Sequence, residues 1–199
     1  MQAAPSPSKL SRSDLMTLER YAEERQGFRA KVIAHKAKRR IALGPHVTLM
    51  FEDRLTIQYQ IQEMLRVERI FDASGIEEEL AAYNPLIPDG RNLKATMLIE
   101  YPDVDERRAA LARMPGVEHK IWIQVGSGDK QFAIANEDLD RSNDDKTAAV
   151  HFLRFELSDA DVEALRAGAE AVIGIDHPEL PHQTELSPAN RTALAADFH

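Results

Sequence analysis

"TAAVHFLRFEL", residues 147–157, decides the fold. Ala149, His151, Leu153, Phe155 and Leu157 alternate with Val150, Phe152, Arg154 and Glu156, the period-two pattern of a strand. The first face is apolar except for His151, and the second is half apolar. Both faces are therefore expected to be covered, as in a layered fold. Working outward, "KATMLIEY" (94–101) is a strand, "DVDERRAALARM" (103–114) a helix stopped by Pro115-Gly116, and "HKIWIQV" (119–125) a strand. "GSGDK" (126–130) is a turn and "QFAIA" (131–135) a short strand. Beyond 157, "SDADVEALRA" (158–167) is a helix capped by Ser158 and ended by Gly168, and "AEAVIGID" (169–176) is a strand. With 131–135 set aside, residues 94–176 read β-α-β-β-α-β, the order of a ferredoxin-like core. The expectation is an α+β protein with one mostly antiparallel sheet. Strands 94–101 and 147–157 lie adjacent in its centre, and helices 103–114 and 158–167 cover one face.

Upstream, residues 1–10 read as a disordered tail, and Ser11 with Asp14 resembles a capping box. A helix is expected over 12–42, stopped by Gly44-Pro45, followed by a half-buried strand at 46–52 and a Pro/Gly-punctuated loop at 83–92. Between them, 55–71 has helical periodicity and is expected to cover the second face of the sheet. A last helix follows Ser187-Pro188 in the segment 177–199. Residues 11–199 thus read as a single domain, with 11–92 a helical part packed on the sheet core.

Helix 55–71 carries an anomaly. Ile57, Ile61, Met64 and Phe71 line one face, and Glu68 falls between Ile57 and Ile61. A buried carboxylate without a partner is very costly. Arg154, beside Val150 and Phe152, is the best-placed cation. The sequence thus predicts a buried structural Glu68–Arg154 pair, with a catalytic Glu68 as the alternative.

The chain has 199 residues, 43% hydrophobic and 29% charged, ordinary for a soluble globular protein. It contains no cysteine, which excludes disulfides, thiolate catalysis and cysteine-ligated clusters. No signal-type apolar segment opens the chain, and no apolar run approaches the ~18 residues of a membrane helix. A cytoplasmic protein with no membrane association is expected. The net charge is −8, yet residues 1–40 carry ten Lys/Arg against four Asp/Glu. Their densest part, "RAKVIAHKAKRR" (29–40), reads either as a solvated helix face or as a docking surface for an anionic partner. Nucleic acid is not the expected partner: the protein is acidic and no aromatic ladder accompanies the basic residues.

Histidines supply the remaining candidate chemistry. His151, on the apolar face of the central strand, suits a metal ligand or general base, against the reading of a satisfied core histidine. "DHPELPH" (176–182) gathers Asp176, His177, Glu179 and His182 after a strand. Imidazole and carboxylate suit zinc, iron or manganese, but the spacing matches no known motif and the two prolines suit a polar surface loop. "GSGDK" lacks the full phosphate-loop pattern and no helix follows it. No Ser/His/Asp order, dinucleotide fingerprint or zincin helix is present, nor are the Glu-x-x-His pairs of a di-iron bundle.

Four stretches, "HVTLMFEDRLTIQYQIQEMLRVERI", "YNPLIPDGRNLKATMLIEYPD", "KTAAVHFLRFEL" and "IGIDHPEL", together resemble an uncharacterised bacterial family, domain of unknown function 3501. The resemblance runs from about residue 10 to the end and brings no established reaction or catalytic residue. It implies an accessory role beside rubrerythrin-like and iron–sulfur proteins. Two hypotheses follow. One is a non-catalytic accessory or binding protein that docks on a redox partner through basic residues 29–40 and acidic loop 137–145. The other is a small metal- or ligand-binding enzyme whose pocket uses His46, Glu68, His151, Arg154 and His177. A homo-oligomer is compatible with both.

Overall fold

Residues 40–43, expected to finish a long helix, form a strand. The computed structural model describes residues 9–137, 141 and 146–199. A 3-10 turn at Arg12–Asp14, with the Ser11/Asp14 capping box, leads to helix α1 (Leu18–Ala37). Strands β1 (Arg40–Leu43) and β2 (Val47–Glu52) then form a hairpin, with Leu43 opposite Val47 and Ile41 opposite Leu49. The Lys/Arg/Ala-rich run up to residue 40 favours a helix locally. Ile41 and Leu43, however, bury their side chains only with a period of two. Gly44 makes the reversal with φ +68°, a left-handed conformation open to glycine. A Cβ there would also stand 2.3 Å from the ring of His182.

The expected helix 55–71 is shorter, and a second helix follows it. Asp53 caps α2 (Arg54–Val67) through a capping box with Thr56, and Asp72 caps α3 (Ala73–Tyr83). Glu68 is the C-cap of α2, Arg69 is left-handed at φ +55°, and the Ile70 N–H donates to Leu65 O at 3.0 Å. This closure is a Schellman motif. It ends the helical periodicity before Glu68 can turn inward, so Glu68, Val67 and Phe71 are all exposed. Because a non-glycine residue in this conformation costs about 1–2 kcal/mol, Arg69→Gly should raise stability by about 1 kcal/mol in urea unfolding.

Nor does α2 lie broadly over the sheet. Ile57, Ile61 and Leu65 pack with Leu10, Leu80 and Ile87 in a cluster of their own. Leu10, placed by sequence at the end of the tail, belongs to this core. Its backbone N–H donates to Asn84 Oδ1 at 2.7 Å. Arg25 on α1 pairs with Glu63 on α2 at 2.7 Å, with the Tyr21 hydroxyl donating to the same carboxylate. The Arg25 contact leads in holding the Glu63 carboxyl down at about 2.

Past a 3-10 turn at Asn84–Leu86 come β3 (Asn92–Ile99), α4 (Val104–Ala112), β4 (Ile121–Val125), β5 (Gln131–Phe132), β6 (Ile134–Ala135) and β7 (Val150–Glu156). The chain ends with α5 (Asp159–Arg166), β8 (Ala171–Ile175), β9 (Gln183–Glu185) and α6 (Pro188–Ala195). The fold is α+β, but residues 94–176 do not share one sheet. Strand order is β1-β2-β3-β7-β6 in one sheet and β5-β4-β8-β9 in the other, and every pairing is antiparallel. β3 and β7 are adjacent and internal, as expected. The ferredoxin-like order fails at 131–135. Phe132 pairs with Trp122 of β4, whereas Ile134 pairs with Arg154 of β7. This short segment crosses between the sheets and occupies the free edges of both β4 and β7. Inner faces of both sheets, with Ala110 and Met114 near α4, Leu165 of α5 and Leu194 of α6, build one core.

Candidate functional site

Strand register sets three charged side chains in a row on the outer face of the first sheet. Glu52 on β2 lies opposite Lys94 on β3, and Lys94 lies opposite Arg154 on β7. Such cross-strand neighbours stand about 5 Å apart at Cβ. Ala82 of α3 and the turn residues Pro85 and Leu86 rise over this row. They enclose a cleft of about 530 Å³ whose floor adds Phe152 and whose rim adds Asp89, Asn92, Glu137 and Glu156.

Most of the charge in the cleft is internally matched. The Arg154 guanidinium grips Glu137 with two bonds of 2.7 Å and also contacts Glu156, which accepts from Asn92 Nδ2 at 3.2 Å. Hydrogen bonding to Glu137 raises the Arg154 pKa and lowers that of Glu137. Glu52 accepts the hydroxyls of Thr56 at 2.5 Å and Thr96 at 2.9 Å. Lys94 differs. Its Nζ donates to Pro85 O at 2.5 Å, its one hydrogen bond among the described residues. An ammonium has three donors, so two remain for a ligand. Burial lowers the Lys94 pKa, Asp89 pulls it back up, and the Arg154 charge adds to the lowering.

Of the residues expected from sequence, only Arg154 lines this cleft. Its partners are Glu137 and Glu156, not Glu68, so the predicted buried Glu68–Arg154 pair is corrected: α2 ends before Glu68, which faces solvent. Glu68→Ala should therefore change stability by less than about 0.5 kcal/mol in chemical denaturation.

His151 is fully buried inside the core. Its Nε2 lies 2.9 Å from both Ala148 O and Thr147 Oγ1, and its Nδ1 lies 3.0 Å from Asn136 Nδ2. A carbonyl accepts only, so Nε2 carries the proton and Nδ1 accepts from Asn136. Burial lowers the His151 pKa, although the Glu118 carboxylate 4.0 Å away pulls upward. Both ring nitrogens have partners, and the ring faces away from the cleft.

The other candidates are dispersed. His46 stacks on Tyr101 at 3.9 Å, with Nδ1 at 3.1 Å from Glu100 O. Asp176 accepts the Trp122 indole N–H at 2.8 Å and the Lys130 ammonium at 2.9 Å, and that ammonium chiefly lowers its pKa. The same indole packs on Gly174, where a Cβ would meet the ring at 2.4 Å. His177 Nδ1 accepts the Glu179 N–H at 3.3 Å, and His182 lies against Gly44 at the first hairpin. Among the described residues, no group of three or more His, Cys, Asp or Glu is placed to hold a metal ion. Of the expected acidic docking loop 137–145, residues 138–140 and 142–145 lie outside the described residues.

Lys94, Glu52 and Asn92 escaped sequence reasoning. The available signal was a charged side chain on the outer-facing positions of each of three strands, at 52, 94 and 154. Those positions meet only once the strand pairing is known.

The basic segment 29–40 also divides. Arg29, Lys31, Lys38 and Arg40 are exposed, but Arg39 is 2% exposed. Arg39 donates to Phe51 O at 3.0 Å and Ala193 O at 2.9 Å and pairs with Asp197. Among the described residues, no helix is long and apolar enough to cross a membrane.

Comparison with known proteins agrees with this architecture. A protein of unknown function solved by crystallography from Burkholderia pseudomallei is 50% identical, with a TM-score of 0.91 over 96% of this chain and 100% of that one. No curated protein matches. The model of the family described as protein of unknown function DUF3501 matches residues 9–198, and the chain belongs to that family.

Proposed function

We propose that the chain is a non-catalytic binding protein whose recognition site is the cleft over Glu52, Lys94 and Arg154. The observation that carries this reading is Lys94, a half-buried ammonium with two donors unused among the described residues, in a cleft of about 530 Å³. That volume suits a small organic ligand. A catalytic role is less well supported, because Glu52, Arg154 and Glu156 already bond to neighbouring protein groups.

The test is a thermal-shift screen of small polar compounds against the wild type and Ala82→Trp. Ala82 is exposed on α3 at the cleft wall, so the indole fills the cleft without entering the core. Compounds that stabilise the wild type should lose their effect on Ala82→Trp. Equal shifts in both proteins would overturn the reading.

A second reading, docking on a rubrerythrin-like or iron–sulfur redox partner, follows the expectation that the family resemblance carries. It is favoured by the exposed side of α1, where Arg29 lies one turn before Ile33, itself 51% exposed. Association through that face should weaken steeply between low and physiological salt and be lost in Arg29→Glu. Binding insensitive to both would dismiss it.

A further inference from the structure

We propose that Lys94 is a covalent capture site for small uncharged carbonyl compounds, aldehydes above all, held in the cleft as an imine. This rests on the reading of the cleft as a ligand site and names its ligand class.

Three observations select that class. First, the lining has four carboxylates, Glu52, Asp89, Glu137 and Glu156, against two cations, Lys94 and Arg154. An anionic ligand would meet net repulsion there. Second, Pro85, Leu86 and Phe152 supply apolar wall, which suits a short carbon chain rather than a fully polar solute. Third, Lys94 faces the permanently charged Arg154 directly across the β3–β7 pair. Like charges at such positions are mutually unfavourable, and burial adds to the cost of the ammonium. Conversion of the ammonium to a neutral imine relieves both.

The reaction is a condensation without oxidation or reduction. The ammonium first gives up one proton, and the free amine nitrogen attacks the carbonyl carbon. The C=O bond is replaced by C=N, and oxygen leaves as water carrying the two hydrogens of the amine. The proton released in the first step passes to solvent through the mouth of the cleft.

The test uses the full chain with propionaldehyde and sodium cyanoborohydride at pH 7.5, read by peptide mass mapping over time. Lys94 should gain the reduced propyl adduct several-fold faster than exposed Lys31 and Lys38, because its aldehyde is held in the cleft and burial favours its neutral amine. Ala82→Trp should remove that advantage and leave the other two lysines unchanged. Labelling of Lys94 no faster than Lys31 and Lys38 would overturn the inference. If compounds still lose their stabilising effect in Ala82→Trp, the imine proposal alone falls. If they keep it, the binding reading falls with it.

Discussion

Replacing Arg39 with methionine should cost about 3–5 kcal/mol at neutral pH, the range for breaking one side of a buried ion pair. Arg39 joins the end of α1, the β1–β2 hairpin and the C-terminal segment through Phe51 O, Glu52 O, Ala193 O and Asp197. Asp53, which also caps α2, lies 3.5 Å away and bonds to His35 at 2.5 Å. Methionine fills similar volume but leaves the Asp197 carboxyl and several carbonyls without a donor. Burial already pushes the Asp197 pKa up to about 6, against the opposing pull of Arg39. Without Arg39 it rises further. A carboxyl raised in the fold stabilises below its unfolded pKa, and that contribution disappears as pH rises through the folded value. The deficit of Arg39→Met should therefore be larger at pH 8 than at pH 5. Urea unfolding at the two pH values measures this. A cost below 1 kcal/mol at both would mean that the network is not structural.

His151→Leu should cost about 2–4 kcal/mol, because it strands Ala148 O, leaves Asn136 Nδ2 only its 3.4 Å bond to Glu118, and sets Glu118, 1% exposed, beside an apolar side chain. His151 also gives the wild type a pH dependence. Its folded pKa lies below the ordinary value, chiefly from burial. The unfolded chain then binds the proton first, so this contribution to stability falls as pH drops below about 6.5. Glu118 opposes that shift, while Arg141 and His119 reinforce it. His151→Leu should lose this part of the slope between pH 7 and 5. An unchanged slope, measured by chemical denaturation, would show that His151 does not carry it.

Local structure was legible where one rule acted alone. The alternation at 147–157 and the Ser158 cap both stand as the sequence suggests. Elements were misjudged where two rules competed. At 40–43 a helix-forming run conflicted with strand periodicity, and pairing of Ile41 with Leu49 prevailed. At 68–70 the periodicity continued on paper, yet the left-handed turn at Arg69 ended the helix. The division into two sheets depends on the five residues 131–135, too few for a periodicity to declare itself. The cleft was the least legible, because Glu52, Lys94 and Arg154 are 42 and 60 residues apart in sequence and meet only through register. Arg154 was singled out for burial on a half-apolar face, and that reason led to the wrong partner.

Ligand binding over Lys94, as proposed, is read from amide shifts of isotopically labelled protein titrated with the strongest stabilising compound from the thermal screen. The largest changes are expected at residues 85–95 and 152–156, with the histidine loop 176–182 and the exposed side of α1 unchanged. Saturable changes confined to 176–182 or to α1, with 85–95 silent, would contradict it.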